Sequence, residues 1–194
     1  MTSVRWGIIS TAKIGMEKVT PAIQAASNCD VVAIASRSPE RASEAAIALG
    51  IPSSFDTYQD LLDAGDIDAV YIPLPNDQHA EWAIRAARAG KHVLCEKPLA
   101  MTEAQAREVV DACAEAGVKL MEAFMYRHHP TWVTAIELVR SGAVGEVQAV
   151  HSWYSYYNDD PSNIRNRLEH GGGATMDIGC YCVNLSRLVF DAEP

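Results

Sequence analysis

The chain has 194 residues, of which 48% are hydrophobic and 21% are charged, and its formal net charge is −9. This composition is typical of a globular protein that buries its core without disulfide or metal cross-links. The acidic balance and the lack of a basic block argue against nucleic acid and anionic membranes as partners, and the longest apolar stretches are too short to span a bilayer. The five cysteines lack framework spacing, which indicates a reducing cytoplasm, and we expect no metal site.

The first part of the chain alternates short apolar runs with helical patterns. Strands are predicted by the runs at 4–10, 31–35, 68–74, 91–95 and 118–122. Helices are predicted at 14–27, 39–50, 76–90 and 102–117. We expect Asn76 to cap the third of these helices, and Thr102 and Gln105 to form a capping box on the fourth. The alternation favours an α/β fold, a doubly wound parallel sheet of the Rossmann type.

The pattern changes near residue 123. A helix is predicted from Pro130 to Gly142, and the alternation at 146–157 predicts one long strand. An amphipathic helix is predicted at 174–190, after three consecutive glycines. We therefore expect residues 1–122 to form one domain and residues 123–194 to form part of a second, α+β domain.

The turn after the first predicted strand has small residues where a dinucleotide site needs them. Ser10, Ala12 and Gly15 occupy the three positions at which backbone approaches a pyrophosphate at a helix N-terminus. Two of the three are not glycine, so an ordinary tight turn between strand and helix remains an alternative.

The end of the second predicted strand indicates which dinucleotide is bound. Ser36 and Arg37 stand 21 and 22 residues after Gly15, where NAD enzymes place an acid for the ribose 2′-hydroxyl. A hydroxyl and a guanidinium suit a 2′-phosphate instead, which favours NADP over NAD. The alternative is that Arg37 begins a loop and Ser36 caps the next helix.

Two further patterns carry chemistry. Lys97 follows a predicted strand, at the edge of the sheet where ligands bind, and its amine can hydrogen-bond a reacting hydroxyl; the following Pro98 is a candidate for a cis peptide. Asp177 and Tyr181 are four residues apart, so they share a helix face and can act as an acid/base pair. The alternatives are a solvated lysine in a loop and a polar helix surface.

Together these motifs resemble the Gfo/Idh/MocA oxidoreductase family, over essentially the whole chain. The resemblance rests on the turn at 7–15, the Pro73-Leu74-Pro75-Asn76 segment with His79, Glu96-Lys97-Pro98, Tyr126 to Pro130, and the three glycines followed by Asp177 and Tyr181. Ser36-Arg37, Asn163-Ile164-Arg165 and Tyr181 are similar to the branch with NADP-dependent D-xylose dehydrogenase, glucose–fructose oxidoreductase and dimeric dihydrodiol dehydrogenase.

The resemblance implies a role for each matching residue. Tyr181 is the general acid/base on a substrate hydroxyl, Lys97 hydrogen-bonds that oxygen and lowers the phenol's pKa, and Asp177 orients the substrate. Arg165 and Tyr126 contact substrate. The cofactor-binding side chains are Ser10, Thr11, Ala12, Lys13, Ile14, Ser36, Arg37, Tyr71, Pro73, Asn76, His79, Glu96 and Lys97. The implied reaction is hydride transfer between NADP and an aldose or cyclic diol.

The sequence departs from the family in its second half. Members carry a large open sheet after the Rossmann domain, and only one strand of it is predicted here. Three explanations compete: a piece of a longer protein, a truncated form that dimerises, or a differently packed C-terminal part. With a full second domain we expect a homo-oligomer. A non-catalytic NADP-binding sensor and an inactive cofactor-binding fragment remain alternatives to the enzyme.

Overall fold

Six parallel strands lie in one sheet in a computed structural model that describes residues 3–193 of the chain. The strands are β1 (Val4–Ile9), β2 (Cys29–Ala35), β3 (Ser53–Phe55), β4 (Ala69–Ile72), β5 (His92–Cys95) and β6 (Leu120–Glu122). Their order is β3-β2-β1-β4-β5-β6, which confirms the predicted doubly wound sheet. No apolar run marks β3, because it is three residues long and two of them are serines.

Helices connect the strands of this first unit. They are a π-helical turn at Gly15–Val19 continued by α1 (Thr20–Ala25), α2 (Pro39–Leu49), α3 (Tyr58–Asp63), a 3-10 turn at Asn76–Gln78 continued by α4 (His79–Arg88), and α5 (Glu103–Glu115). Thr102 caps α5 as predicted, since its Oγ1 accepts from Gln105 N at 3.3 Å. The second bond of a capping box would join the Gln105 side chain to Thr102 N. Here the Gln105 side chain instead accepts from Met101 N at 3.1 Å.

The predicted cap at Asn76 is wrong. Asn76 begins the 3-10 turn, in which Gln78 N donates to Pro75 O at 2.9 Å, and α4 starts only after that turn. The N-cap position of α4 is Gln78, which makes no side-chain capping bond. The proline before Asn76 therefore leads into a tighter turn, which delays the start of the α-helix by three residues.

The core lies on both faces of the sheet, because successive strand residues point to opposite sides. Ile8 and Ile34 pack with Ala45 and Ala46 of α2, and Ile9 lies in the larger cluster on the other face. That cluster includes four alanines of α4, which are Ala80, Ala83, Ala86 and Ala87. Small side chains let this helix approach the sheet closely, so the loops flanking it are held against a rigid layer.

The chain divides into two units after Glu122, and the second unit is described by itself. It holds a 3-10 turn at Met125–His128, α6 (Pro130–Arg140), two further 3-10 turns at Ile164–Asn166 and Leu168–His170, a π-helical turn at Thr175–Gly179 and α7 (Cys180–Phe190). In neither unit is a described helix long and apolar enough to cross a membrane.

The strand predicted at 146–157 is wrong. This segment has no strand pairing, and no strand is present in residues 123–193. Alternation fixes which side chains share a face, but a strand also needs a neighbouring strand for its backbone hydrogen bonds. Among the described residues of this unit, the segment finds no such neighbour.

Candidate functional site

The first candidate site lies at the carboxyl edge of the sheet, where the strand order reverses. β1 pairs with β2 on one side and β4 on the other, so the connections after β1 and β4 leave in opposite directions. Ser10, Ser36, Pro73 and Glu96 follow the ends of β1, β2, β4 and β5. A crevice at such a reversal is the place where sheets of this type bind ligands.

The turn after β1 adopts the backbone of a glycine-rich turn, although Ser10 and Ala12 stand at two of its three glycine positions. Ser10 has a φ of 113°, a backbone conformation that residues other than glycine rarely adopt. Its Oγ accepts from Ala12 N at 3.0 Å, and its own N donates to Ala35 O at 3.0 Å. A Cβ on Gly15 would lie 3.3 Å from Pro73 Cγ, so the helix packs closely on the sheet. Small residues and local hydrogen bonds therefore keep this turn compact.

The other predicted phosphate residues continue this turn. Thr11 and Ala12 are partly exposed, and Lys13 and Ile14 are exposed. The Lys13 amine lies 3.8 Å from Glu17 Oε1. These residues lie immediately before the first helix, where backbone N–H groups and the helix dipole suit an anion.

Ser36 and Arg37 follow β2, and each has a different environment. Ser36 is buried; its Oγ accepts from Ser38 N at 3.3 Å. The cap of α2 is Ser38, so the alternative in which Ser36 caps that helix is wrong. Arg37 is exposed and borders a groove of about 290 Å³. Asp56, Tyr58 and Trp82 are among the residues that line this groove. Burial raises the pKa of Tyr58, and the charge and hydrogen bond of Arg37 oppose that shift.

Four of the predicted site residues belong to β4, the start of α4 and the loop after β5. Tyr71 is fully buried, and its hydroxyl donates to Glu96 Oε1 at 2.7 Å. Lys97 N donates to Glu96 Oε2 at 3.3 Å, and the Lys97–Pro98 peptide is cis as the sequence suggested. His79 is 1% exposed. Tyr71 and His79 therefore lie beneath the surface of the crevice in this structure.

Pro73 is buried and Asn76 is partly exposed, and both belong to the loop after β4. Lys97 is partly exposed in the loop after β5. Among the described residues, no group of three or more His, Cys, Asp or Glu side chains could hold a metal ion.

In the second unit, Asp177 is at the centre of a polar cluster. Arg165 Nε lies 3.1 Å from Asp177 Oδ1, and the Tyr156 hydroxyl donates to Asp177 Oδ2. The pKa of Tyr156 is raised, first by burial and then by this carboxylate. Arg165 and Asp177, which the sequence assigned separately, are thus an ion pair. Sequence reasoning missed Tyr156, because it was interpreted only as one position of the strand predicted at 146–157.

Tyr181 lies one helical turn beyond Asp177, among aromatic rings. Its ring centroid is 5.3 Å from that of Phe124, 6.1 Å from that of Tyr126 and 5.9 Å from that of Tyr154. The Tyr126 hydroxyl donates to Asn184 Oδ1, and burial raises the pKa of Tyr126. The rings of Phe124 and Tyr154 meet Tyr181 edge to face, which restricts the orientation of its ring. Lys97 belongs to the first unit, whereas Asp177 and Tyr181 belong to the second.

The strand order with its reversal at β1 and the compact turn after β1 define the first unit as a dinucleotide-binding Rossmann domain. Residues 4–124 match the GFO_IDH_MocA profile, described as an oxidoreductase family with an NAD-binding Rossmann fold, and residues 132–194 match the GFO/IDH/MocA C-terminal domain. The chain belongs to the Gfo/Idh/MocA oxidoreductase family.

Two curated relatives are similar over nearly the whole chain. An uncharacterized oxidoreductase of Rhizobium meliloti is 47% identical over 100% of this chain and 58% of its own length. The D-xylose 1-dehydrogenase (NADP(+)) 2 of Haloferax volcanii is 48% identical over 94% of this chain and 56% of its own length. The chain therefore spans less than three fifths of these relatives.

Solved structures agree with this assignment. A 3-ketoreductase from Actinomadura kijaniata, in complex with NADP and TDP-benzene, has a TM-score of 0.91 and 38% identity over 97% of this chain and 58% of its own. An aldose–aldose oxidoreductase from Caulobacter crescentus, complexed with glycerol, has a TM-score of 0.92 and 36% identity over 99% of this chain and 59% of its own.

Proposed function

We propose that this chain carries the cofactor-binding and acid/base residues of an NADP-dependent oxidoreductase that acts on an aldose or a related cyclic alcohol. The observation that best supports this proposal is the location of Arg37, which follows β2 in a Rossmann sheet. Folds of this type bind the 2′ substituent of the adenosine ribose at that position. The Haloferax volcanii relative is named for NADP and D-xylose, and the Actinomadura kijaniata structure contains NADP.

The residues at the carboxyl edge fit NADP. Ser10 gives the turn after β1 the backbone that glycine usually provides, which leaves space for a pyrophosphate against the following helix. Arg37 offers an exposed guanidinium to a 2′-phosphate, and Ser36 beside it offers a hydroxyl. We assign the binding of the pyrophosphate to the segment from Ser10 to Ile14. We assign the binding of the rest of the cofactor to the loops that carry Pro73, Asn76, Glu96 and Lys97.

When bound, the nicotinamide accepts or supplies the hydride. The chain's own residues move the proton and orient the substrate. Tyr181 takes the proton from the substrate hydroxyl during oxidation and returns it during reduction. We assign to the ammonium of Lys97 a hydrogen bond to the reacting oxygen, which assists the proton transfer.

Asp177 orients the substrate in this proposal, and its own position is fixed. Arg165 and Tyr156 each bond one of its carboxylate oxygens, so both oxygens have a partner. Such a carboxylate keeps its direction but can still accept a further hydrogen bond from a substrate hydroxyl, because each oxygen has two lone pairs. We assign the remaining substrate contacts to Arg165 and Tyr126.

The test follows NADPH absorbance with purified chain and a panel of aldoses and cyclic diols. We expect oxidation or reduction with at least one of them, and Tyr181→Phe should lower kcat by about 10²–10⁴-fold. Tyr157→Phe is the matched control, because Tyr157 is 85% exposed and its hydroxyl bonds the neighbouring Asp159.

Full activity in Tyr181→Phe would exclude the acid/base role. NADPH binding without turnover of any substrate would favour the sensor or the inactive fragment over the enzyme. No binding of either nicotinamide cofactor would overturn the proposed function altogether.

A further inference from the structure

The imidazole of His79 bridges two loops at the carboxyl edge of the sheet. Its Nε2 lies 2.7 Å from the carbonyl oxygen of Leu74, in the loop after β4. Its Nδ1 lies 2.7 Å from the carbonyl oxygen of Pro98, in the loop after β5. The residue is 1% exposed, so water does not compete for either contact. One side chain therefore spans the two segments that carry Asn76 and Lys97.

Both partners of the ring are acceptors, which restricts the chemistry of the bridge. A neutral imidazole has one N–H and can donate to only one of the two oxygens, whereas an imidazolium donates to both. Burial lowers the pKa of His79, while the two carbonyls and the negative charges of Glu96 and Asp77 oppose that shift. The second hydrogen bond is thus gained as the pH falls through a pKa below the ordinary histidine value.

We propose that His79 is a positioning residue, which uses its two ring nitrogens to hold the loop of Lys97 against the loop after β4. The inference rests on the proposed function, in which the Lys97 amine bonds the reacting oxygen. Lys97 directly precedes Pro98, whose carbonyl is one end of the bridge. A movement of that carbonyl displaces the backbone of Lys97 and hence the origin of its amine.

Three substitutions separate the two ends of the bridge. In His79→Asn the amide nitrogen reaches the position of Nδ1 and keeps the bond to Pro98. In His79→Gln it reaches the position of Nε2 and keeps the bond to Leu74. His79→Ala removes both. His92→Asn is the matched control, because His92 is exposed at the start of β5 and its Nδ1 accepts from Lys119 N at 3.0 Å.

Hydrogen–deuterium exchange measures the bridge without turnover. Two amides report on the loop after β5: Lys97 N, which donates to Glu96 Oε2, and Leu99 N, which donates to Glu122 Oε1 at 2.8 Å. We expect exchange over 96–99 to be about tenfold faster in His79→Ala and His79→Gln than in the wild type, the effect of one lost hydrogen bond. It should stay near the wild-type rate in His79→Asn and in the control.

Kinetics then test whether the bridge matters for the reaction. We expect kcat to fall about tenfold in His79→Gln with KM for NADPH nearly unchanged, and to recover in His79→Asn. The limb of the pH–kcat profile that reports the acid/base group should move to higher pH in His79→Gln, because a displaced Lys97 cation stabilises the reacting oxyanion less. If His79 only stabilised the fold, its substitution would lower the melting temperature without moving that limb. Near-UV circular dichroism checks that each variant is folded.

Equal exchange over 96–99 in the wild type and His79→Ala would overturn the proposal. Equal losses of kcat in His79→Asn and His79→Gln would also overturn it, because the end at Pro98 would then have no special role. Failure of the wild-type chain to bind or use NADPH would instead refute the proposed function, and the exchange comparison would still decide whether His79 holds the loop.

Discussion

Replacement of Arg37 by alanine tests the choice of cofactor most directly. Arg37 is exposed at the end of β2, and it lines the same groove as Tyr58. Tyr58 is itself held edge-on against Trp82, with ring centroids 5.0 Å apart. The guanidinium therefore borders a groove with an aromatic wall, in which a phosphate can bind beside it.

The expected magnitude follows from the contacts that are lost. A hydrogen bond to a charged group contributes about 1.5–3 kcal/mol, which corresponds to about 10–150-fold in affinity. Arg37→Ala should weaken NADPH binding by about that factor. Asp56, in the same groove, would then face the phosphate without a compensating cation, which favours the upper part of the range. NADH has no 2′-phosphate, so we expect its affinity to change by less than about threefold.

Fluorescence titration of NADPH and NADH measures both affinities on the same preparation. Arg88→Ala is the matched control, because Arg88 is also exposed but lies in the last turn of α4, next to the amino edge of the sheet. Tyr58→Phe should have an intermediate effect, since it keeps the ring contact with Trp82 and removes the hydroxyl. Equal losses for NADPH and NADH in Arg37→Ala would refute the assignment of Arg37 to the 2′-phosphate.

Two further predictions concern stability. Ser10→Gly should be more stable than Ser10→Ala by about 1–3 kcal/mol in urea unfolding, because both lose the hydroxyl but only glycine adopts φ of 113° without strain; the reverse order would contradict that strain. Asp68→Asn should be less stable than the wild type at pH 7. We expect a loss of at most about 1 kcal/mol in the free energy of unfolding, because the ion pair with Arg5 is partly exposed. The Arg5 hydrogen bond lowers the pKa of Asp68 to about 2, so the difference should persist above pH 4 and disappear as the pH falls towards 2; a difference independent of pH would exclude the ion pair as its cause.

Local patterns explain why most of the first unit could be predicted. A buried parallel strand is a short apolar run, and a helix on the sheet has its own period, so the alternation of the two determines the fold class. The failures are also local in origin. β3 is too short and polar to be recognised, and the turn at Asn76–Gln78 delays α4 beyond its expected cap.

For the candidate site residues, the sequence predicted their positions at strand ends but not the contacts of their side chains. Ser36-Arg37 and Lys97 were recognisable because the ends of parallel strands meet at one edge, whatever the details of packing. The environment of each side chain was not recognisable. Tyr71 and His79 were expected along the cofactor, but they are buried and bond Glu96 and two backbone carbonyls. These contacts join segments that are distant in sequence, so the residue types alone do not predict them.

The sequence by itself determined the Rossmann sheet, the family and the chemical types of the candidate residues, because these depend on periodicity and on residue identity at strand ends. Only the tertiary structure decided that Arg165 and Tyr156 hold the Asp177 carboxylate, that 146–157 has no strand partner among the described residues, and that His79 spans two loops. Each of these depends on which backbone and side-chain groups meet after folding, and hydrogen bonds between distant segments leave no periodic signal in the sequence.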